Sequence, residues 1–381
     1  MTSNKNAHQV NSSTGERQEA RQTGGTDTWP RPEAGAGWRP PVACQYCGSG
    51  SLASWLDRVR DHLEYVPGSW AMLRCRDCGS VQLSPMPSED KVAELYPPVY
   101  SFRTDLDAGG RIRRLISRAE EAAFYRILHK RETGTIRRHT GLAGGNLLDV
   151  GCGTGDRLAR FSRTGFSVRG LEIQPDLVRY VRQTRGFAVD AGTLDSVFYP
   201  AASFDMVTIY YVIEHLLDVG KVLWRIHSML KPGGWVVAEV PLADSCQSLT
   251  LRTRWSQYSE APRHVSIPSR EGIRRALTVS GFEEVSILPA TMMNCAAAFA
   301  LSVIPAANTG RSYARSGVLR HLPRAAGGLV TLLYCPAAAL ENYGARRPAF
   351  GLVLARKPGE YNESSKRATN QAGRGSAGAA S

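Results

Sequence analysis

The feature that most constrains this 381-residue chain is a short apolar run that breaks directly into a glycine loop: Leu147-Leu148-Asp149-Val150-Gly151-Cys152-Gly153-Thr154-Gly155. An apolar run of that length bounded by glycine reads as a buried strand, and Arg157 to Arg163, closed by Gly165, reads as the helix after it. Strand, glycine turn and helix in succession open a parallel unit, so the rest of the chain has to supply parallel neighbours. The glycine spacing is G-x-G-x-G. It is not the G-x-G-x-x-G that cradles a pyrophosphate at a helix N-terminus, and the tighter loop suits a ligand without phosphates. Glycines let the backbone approach that ligand closely, and the exposed helix amides can face a carboxylate.

The expected neighbours follow in order. Ser167 to Ile173 reads as a second strand, Asp176 to Thr184 as a helix, Phe187 to Asp190 as a third strand, Asp205 to Tyr211 as a fourth, Val219 to Leu230 as a helix and Trp235 to Val240 as a fifth strand. Glu284 to Leu288 and Phe350 to Ala355 complete the set. The alternation predicts an α/β fold: a Rossmann-like, seven-stranded, mostly parallel sheet with helices on both faces. Between the last two strands, residues 290–343 are apolar, alanine-rich and punctuated by arginines, which predicts a late helical insertion. Glu172 stands 21 residues past Gly151 at the end of the second strand, where a carboxylate can accept hydrogen bonds from both hydroxyls of a ribose. Glycine loop plus acid is a nucleoside site; a plain tight turn beside a surface glutamate is the alternative.

From Thr140 to Lys357 the chain resembles the class I S-adenosylmethionine-dependent methyltransferases. The glycine loop and Glu172 are joined in order by Phe204-Asp205-Met206-Val207, Ile213-Glu214-His215-Leu216, Leu230-Lys231-Pro232-Gly233-Gly234, Val240-Pro241 and Ser280-Gly281-Phe282. The resemblance implies that Asp149, Gly151, Cys152, Gly153 and Gly155 line the methionine end of S-adenosylmethionine and that Glu172 holds the ribose. Thr193 and Leu194 occupy the region that meets the adenine, with Asp195 as the alternative there. Tyr210 and Tyr211 end the fourth strand, where an aromatic face could contact the sulfonium, although core packing is the competing role. Methyl transfer is an in-line displacement in which positioning supplies much of the rate. A hydroxyl acceptor also needs a base, and His215 and His264 are the candidates because a histidine titrates near the working pH. His264 is favoured, since Trp255 to Tyr258 and Pro262 to Val265 resemble the family's substrate-facing segment; a structural hydrogen bond is the competing role.

A second motif lies upstream. Cys44-Gln45-Tyr46-Cys47-Gly48 and Cys75-Arg76-Asp77-Cys78-Gly79 are two Cys-x-x-Cys knuckles separated by 27 residues. Four thiolates so arranged make a closed tetrahedral site for a structural Zn²⁺, with two redox pairs as the alternative. The run Leu73 to Pro85 also resembles the N-terminal zinc-ribbon module of bacterial methyltransferases of saccharide and natural-product pathways. That resemblance implies a small-molecule or saccharide acceptor, methylated at a hydroxyl or, as another possibility, at carbon.

The division expected is a disordered lead over 1–40, a zinc-ribbon module over 41–100, a basic amphipathic helix over 101–140, the methyltransferase domain over 141–357 and a loose tail over 358–381. The four cysteines outside the knuckles are scattered, which suits a reducing, cytoplasmic compartment, and the polar N-terminus shows no secretory signal. A net charge of +13 predicts attraction to anionic partners. Three alternatives therefore accompany the small-molecule reading: an RNA-modifying methyltransferase gripping through the 111–138 arginines, an inactive binding protein of the same fold, and peripheral membrane contact through 290–343. For that insertion a lid or homodimer cap is the competing role.

Overall fold

The computed structural model describes residues 37–62, 64–95, 126–307 and 321–359. The expected lead up to residue 36, the basic helix before Arg126, Pro97 and Pro98 of the connector, and the tail from residue 360 lie outside the described residues. Within the expected lead, Trp38 and Arg39 do form a short strand, β1 (Trp38–Arg39), paired with β5 (Met86–Pro87).

All seven strands of the large sheet form. They are β6 (Gly145–Val150), β7 (Phe166–Glu172), β8 (Ala188–Ala191), β9 (Phe204–Tyr210), β10 (Leu230–Pro241), β12 (Glu283–Pro289) and β13 (Phe350–Arg356), in the order β12-β13-β10-β9-β6-β7-β8. Pairings from β10 through β9, β6 and β7 to β8 are parallel, while β13 runs antiparallel between β10 and β12. The parallel strands are buried on both faces, which is why they read as unbroken apolar runs rather than alternating ones. Leu148, Val150, Val207, Ile209 and Val236 pack one face; Leu147, Met206, Trp235 and Val237 pack the other, against Ile136 of the helix α2 (Arg126–Thr140).

Helices α3 (Asp156–Ser162), α4 (Pro175–Tyr180) and α5 (Val219–Met229) follow β6, β7 and β9 as expected. The helix after β7 ends in a wider turn over Val181–Arg185 that stops at Gly186, whose φ of +69° lets the chain reverse. The late insertion is helical: α8 (Met292–Val303) and α9 (His321–Ala339) pack together, with Phe299 and Tyr334 stacked at 3.7 Å between ring centres.

A smaller sheet carries the cysteines. It contains β2 (Leu52–Val59), β3 (Trp70–Cys75), β4 (Val81–Ser84) and β11 (Ser266–Ile267), in the order β11-β4-β3-β2. The expected boundary near residue 100 does not separate this sheet, because its fourth strand comes from beyond β10: Ser266 pairs with Gln82 and Ile267 with Val81. The apolar interior is shared as well, with Trp70, Met72 and Leu83 packing against Trp255 and Tyr258.

Candidate active site and cysteine cluster

The glycine loop adopts left-handed backbone at all three of its glycines, with φ of +70° at Gly151, +54° at Gly153 and +74° at Gly155. Such angles cost any residue with a Cβ roughly 1–2 kcal/mol, so the sequence spacing is a backbone requirement. A Cβ on Gly151 would stand 2.5 Å from Val212 Cγ2, and one on Gly155 2.9 Å from Val181 Cγ1, whereas a Cβ on Gly153 would meet nothing within 4 Å. Gly153 is thus the glycine that borders open space. Cys152 is buried against Gly170, where a Cβ would come 2.6 Å from its Sγ, so Cys152 presents backbone rather than thiol to the loop's outer side.

Glu172 is buried at the tip of β7 and does more than was expected of it. Its Oε2 accepts from the Gly153 amide and its Oε1 from the Gln174 amide, both at 2.9 Å. The carboxylate therefore fixes the loop, while each oxygen retains a second lone pair for a ribose hydroxyl. Asp149 is fully buried; Thr208 Oγ1 donates to its Oδ1 at 2.7 Å, and its Oδ2 has no hydrogen-bond partner among the described residues. Burial holds the Asp149 carboxyl above its ordinary range. Thr193 is exposed beyond β8, but Leu194 is buried in the main apolar cluster, so of the two only Thr193 offers its side chain to a ligand. Asp195 pairs instead with Lys221 at 3.0 Å and Arg225 at 3.6 Å.

Tyr210 departs from its expected role. The ring is buried among Leu147, Met206 and Val237, and the Arg157 guanidinium lies 3.8 Å from its centre. Its cation–π partner is Arg157, and packing is its visible function. Tyr211 is held at φ +55°, an uncommon angle for a bulky residue, with its amide donating to the Glu239 carbonyl and its hydroxyl to Glu239 Oε1 at 2.5 Å. Asn294, from α8, donates to the Tyr211 hydroxyl at 3.0 Å and to Glu239 Oε1 at 2.7 Å. Burial raises the Glu239 carboxyl to about 7.

The two candidate histidines are brought together from segments far apart in the chain, with ring centres 4.7 Å apart and edge to face. His215 Nδ1 lies 3.0 Å from the Arg263 carbonyl and His264 Nδ1 2.7 Å from the Gln257 carbonyl, so each Nδ1–H donates to backbone, and His264 Nε2 faces Glu260 Oε2 at 3.6 Å. Burial lowers both to about 3, which overturns the reason for choosing them: neither titrates near neutral pH. Both are fixed and neutral. Glu214 is buried beside them and raised by burial to about 8; ligand atoms of Glu214, His215 and His264 lie within 4.8 Å of one another, close enough to share one cation.

Part of the chain is similar to proteins of known kind. Residues 110–287 match the family described as a methyltransferase domain. An O-methyltransferase of Pyrenophora dematioidea is 28% identical over 148 residues, covering 36% of this chain and 54% of that protein. A ubiquinone biosynthesis O-methyltransferase of Thiobacillus denitrificans is 34% identical over 101 residues, covering 25% of this chain and 44% of that one. The chain thus spans about half the length of these curated relatives. A solved SAM-dependent methyltransferase from Archaeoglobus fulgidus superposes with a TM-score of 0.40 and 19% identity, over 64% of this chain and 99% of that one.

The two cysteine knuckles repeat each other in their backbone hydrogen bonds. The Gly48 amide donates to the Cys44 carbonyl and the Gly79 amide to the Cys75 carbonyl, both at 2.9 Å, and both glycines are left-handed. Turned this way, Cys44, Cys47, Cys75 and Cys78 converge with all four sulfurs within 4.8 Å of one another. The Cys44–Cys78 and Cys47–Cys75 separations are 3.5 and 3.6 Å. Tetrahedral zinc thiolate, with Zn–S near 2.3 Å, requires sulfur–sulfur edges of about 3.8 Å.

Sequence reasoning missed Glu239 and Asn294. Glu239 could have been found, since it is the one carboxylate in the apolar run Trp235 to Val240. Asn294 carries no such signal.

Proposed function

We propose that the chain is an S-adenosylmethionine-dependent methyltransferase that acts on a hydroxyl of a small-molecule or saccharide acceptor in a reducing, cytoplasmic compartment, with a structural zinc ion in its cysteine cluster. The observation that supports the cofactor reading is the pairing of Gly153 with Glu172: the loop glycine whose Cβ would meet nothing donates its amide to the carboxylate that we read as the ribose acid. The unpartnered Asp149 Oδ2 fits a bound ammonium group reached directly or through water. Names of the relatives, which include O-methyltransferases, support oxygen as the acceptor atom.

The cofactor, when bound, supplies a sulfonium methyl group open to in-line attack. The chain's own residues position and deprotonate. Asp149, Gly151, Gly153 and Glu172 bind and orient, and the neutral His215–His264 pair serves as the weak base for the attacking hydroxyl. A hydroxyl becomes strongly acidic as its oxygen gains the methyl group, so a weak base with a fixed lone pair suffices to take the proton.

Isothermal titration with S-adenosylmethionine tests the reading, with Gly153→Ala and Glu172→Gln beside the parent, followed by an acceptor screen read by S-adenosylhomocysteine formation above the no-acceptor rate. Binding by the parent and tenfold or greater weakening in both variants is expected, on the order of one lost strong contact. No binding by a folded, zinc-loaded parent rejects the enzyme reading in favour of a binding protein of the same fold.

A further inference from the structure

The carboxylate of Glu239 is buried near the carboxyl end of β10 with one of its two oxygens in use. Both hydrogen bonds that it receives fall on Oε1, from the Tyr211 hydroxyl at 2.5 Å and from Asn294 Nδ2 at 2.7 Å; Oε2 receives none among the described residues. A buried carboxylate oxygen without a donor is costly, so one kept bare at a strand end points to a donor that arrives with a ligand.

Several relationships place Glu239 beside the glycine loop and the histidines. It pairs in register with Tyr210 across the parallel β9–β10 ladder, at the carboxyl ends where open α/β sheets bind their ligands. Tyr211, which holds it, precedes Val212, the residue that a Cβ on Gly151 would strike. Glu239 also lies near enough to Glu214, beside the two histidines, to help raise that carboxyl. Asp149, read above as a cofactor ligand, is on β6, so the two acids flank β9 from opposite sides.

We infer that Glu239 selects the acceptor: its Oε2 takes a hydrogen bond from a second donor group, hydroxyl or amine, on the molecule whose hydroxyl is methylated. The inference rests on the methyl-transfer reading. Asn294, in the first turn of the late helical insertion, is a positioning residue, since with Tyr211 it occupies Oε1 and leaves Oε2 as the oxygen available. The groups around the carboxylate are Glu132 from α2, Arg157 from α3, Tyr211 and Glu214 from the end of β9 and the turn after it, and Asn294 from α8. Burial and Glu132 raise it to about 7, while Tyr211, Asn294 and Arg157 oppose the rise. Below that value a proton on Oε2 turns the hydrogen-bond acceptor into a donor, so the selection strengthens as pH rises through about 7.

Acceptor pairs that differ in one group test it: a vicinal cyclohexanediol against its mono-methyl ether, and catechol against guaiacol. Turnover is read by S-adenosylhomocysteine formation, and binding by the carboxyl carbon NMR signal of Glu239 in the full chain loaded with S-adenosylhomocysteine. The parent is expected to prefer the diol of each pair by about tenfold or more in kcat/KM, because the ether leaves a buried charged oxygen without its donor. The Glu239 signal is expected to move with the diol and not with the ether. In Glu239→Gln the Tyr211 and Asn294 donors claim the amide oxygen, so the NH₂ group takes the place of Oε2 and the preference turns toward the ethers while S-adenosylmethionine still binds. Should that variant fold poorly, Asn294→Ala removes a donor that lowers Glu239 and moves the onset of the preference to higher pH. A parent that binds S-adenosylmethionine but uses both members of each pair equally, a Glu239 signal that responds alike to both or to neither, or a folded Glu239→Gln that keeps the parent's preference overturns the inference. A parent that binds no S-adenosylmethionine rejects the methyl-transfer reading, and the inference falls with it.

Discussion

Arg263 and Asp61 meet in a fully buried two-pronged ion pair, Nη1 to Oδ2 at 2.8 Å and Nη2 to Oδ1 at 2.6 Å, across 202 residues of chain. Asp61 lies in the loop between β2 and β3 of the cysteine-bearing sheet, where its Oδ2 also accepts from the Tyr65 and Val66 amides at 2.9 and 3.0 Å. Arg263 immediately precedes His264. The cysteine module is therefore a wall of the candidate active site, holding the histidine loop by this ion pair, by the β4–β11 pairing and by hydrogen bonds such as Tyr46 Oη to Ser266 Oγ at 2.9 Å and the His62 amide to the Ser259 carbonyl at 2.9 Å.

Removing one partner leaves the other charge buried, which costs about 3–5 kcal/mol. Asp61→Ala is expected to lose that much in urea unfolding, while Asp61→Leu with Arg263→Met recovers part of it: the buried charge is gone, but the Tyr65 and Val66 amides still lack their acceptor. A loss under about 1 kcal/mol in the single variant would show that water reaches the pair.

The three loop glycines separate stability from binding. Gly151→Ala drives a methyl group into Val212 besides forcing an unfavourable φ, and is expected to lower both melting temperature and cofactor affinity. Gly153→Ala meets open space, so its stability cost stays near the 1–2 kcal/mol of the backbone alone, yet its methyl group enters the space that the cofactor needs. Calorimetry beside a melting curve checks the pair. Equal losses of affinity per degree of melting in the two variants would remove the distinction.

Much of this was legible beforehand, for reasons that differ by element. The five parallel strands could be read because such strands are apolar on both faces and are bounded by glycines, as β6 is at Gly151 and the apolar stretch of β10 from Trp235 is by Gly233 and Gly234. The convergence of the four knuckle cysteines could be read because each Cys-x-x-Cys-Gly turn brings its own pair together locally. Residues Ser266 and Ile267 could not: a two-residue strand has no period, and its partner β4 is far away in sequence. The Asp61–Arg263 pair is equally silent, since charged residues in loops normally face water. The histidines were picked for the right neighbourhood and the wrong property, because burial depends on packing that a residue's own sequence context does not reveal.

That burial makes stability depend on pH in both directions. His215 and His264 fall from an ordinary 6.5 to about 3 in the folded chain, so below 6.5 the unfolded chain takes up protons that the folded one refuses. Their contribution is fully present above 6.5 and is lost as pH falls toward 3, at roughly 1 kcal/mol per histidine per pH unit. Glu214 moves oppositely, from 4.5 to about 8: its contribution is present below 4.5 and is lost as pH rises through 8. Melting curves should show Glu214→Gln gaining stability over the parent above neutral pH, and His264→Gln flattening the acid limb. A Glu214→Gln variant less stable than the parent at alkaline pH would mean that Glu214 holds a cation rather than a proton.

Zinc removal should reach further than the cysteines. The knuckles position β3 and β4, β4 pairs with β11, and β11 follows His264 by one residue, so loss of the metal loosens the histidine loop through the sheet itself. Purified chain is expected to carry about one zinc per molecule by elemental analysis, and a strong chelator or Cys75→Ser to remove it. Hydrogen exchange should then rise at residues 255–268 as well as at the knuckles, while β6, β7 and β9 keep their protection. If exchange rises only around Cys44 to Cys78, the module folds independently of the loop and β11 is a passive edge. Exchange that rises across all seven strands instead would make the metal a requirement for the whole fold rather than for the wall of one site.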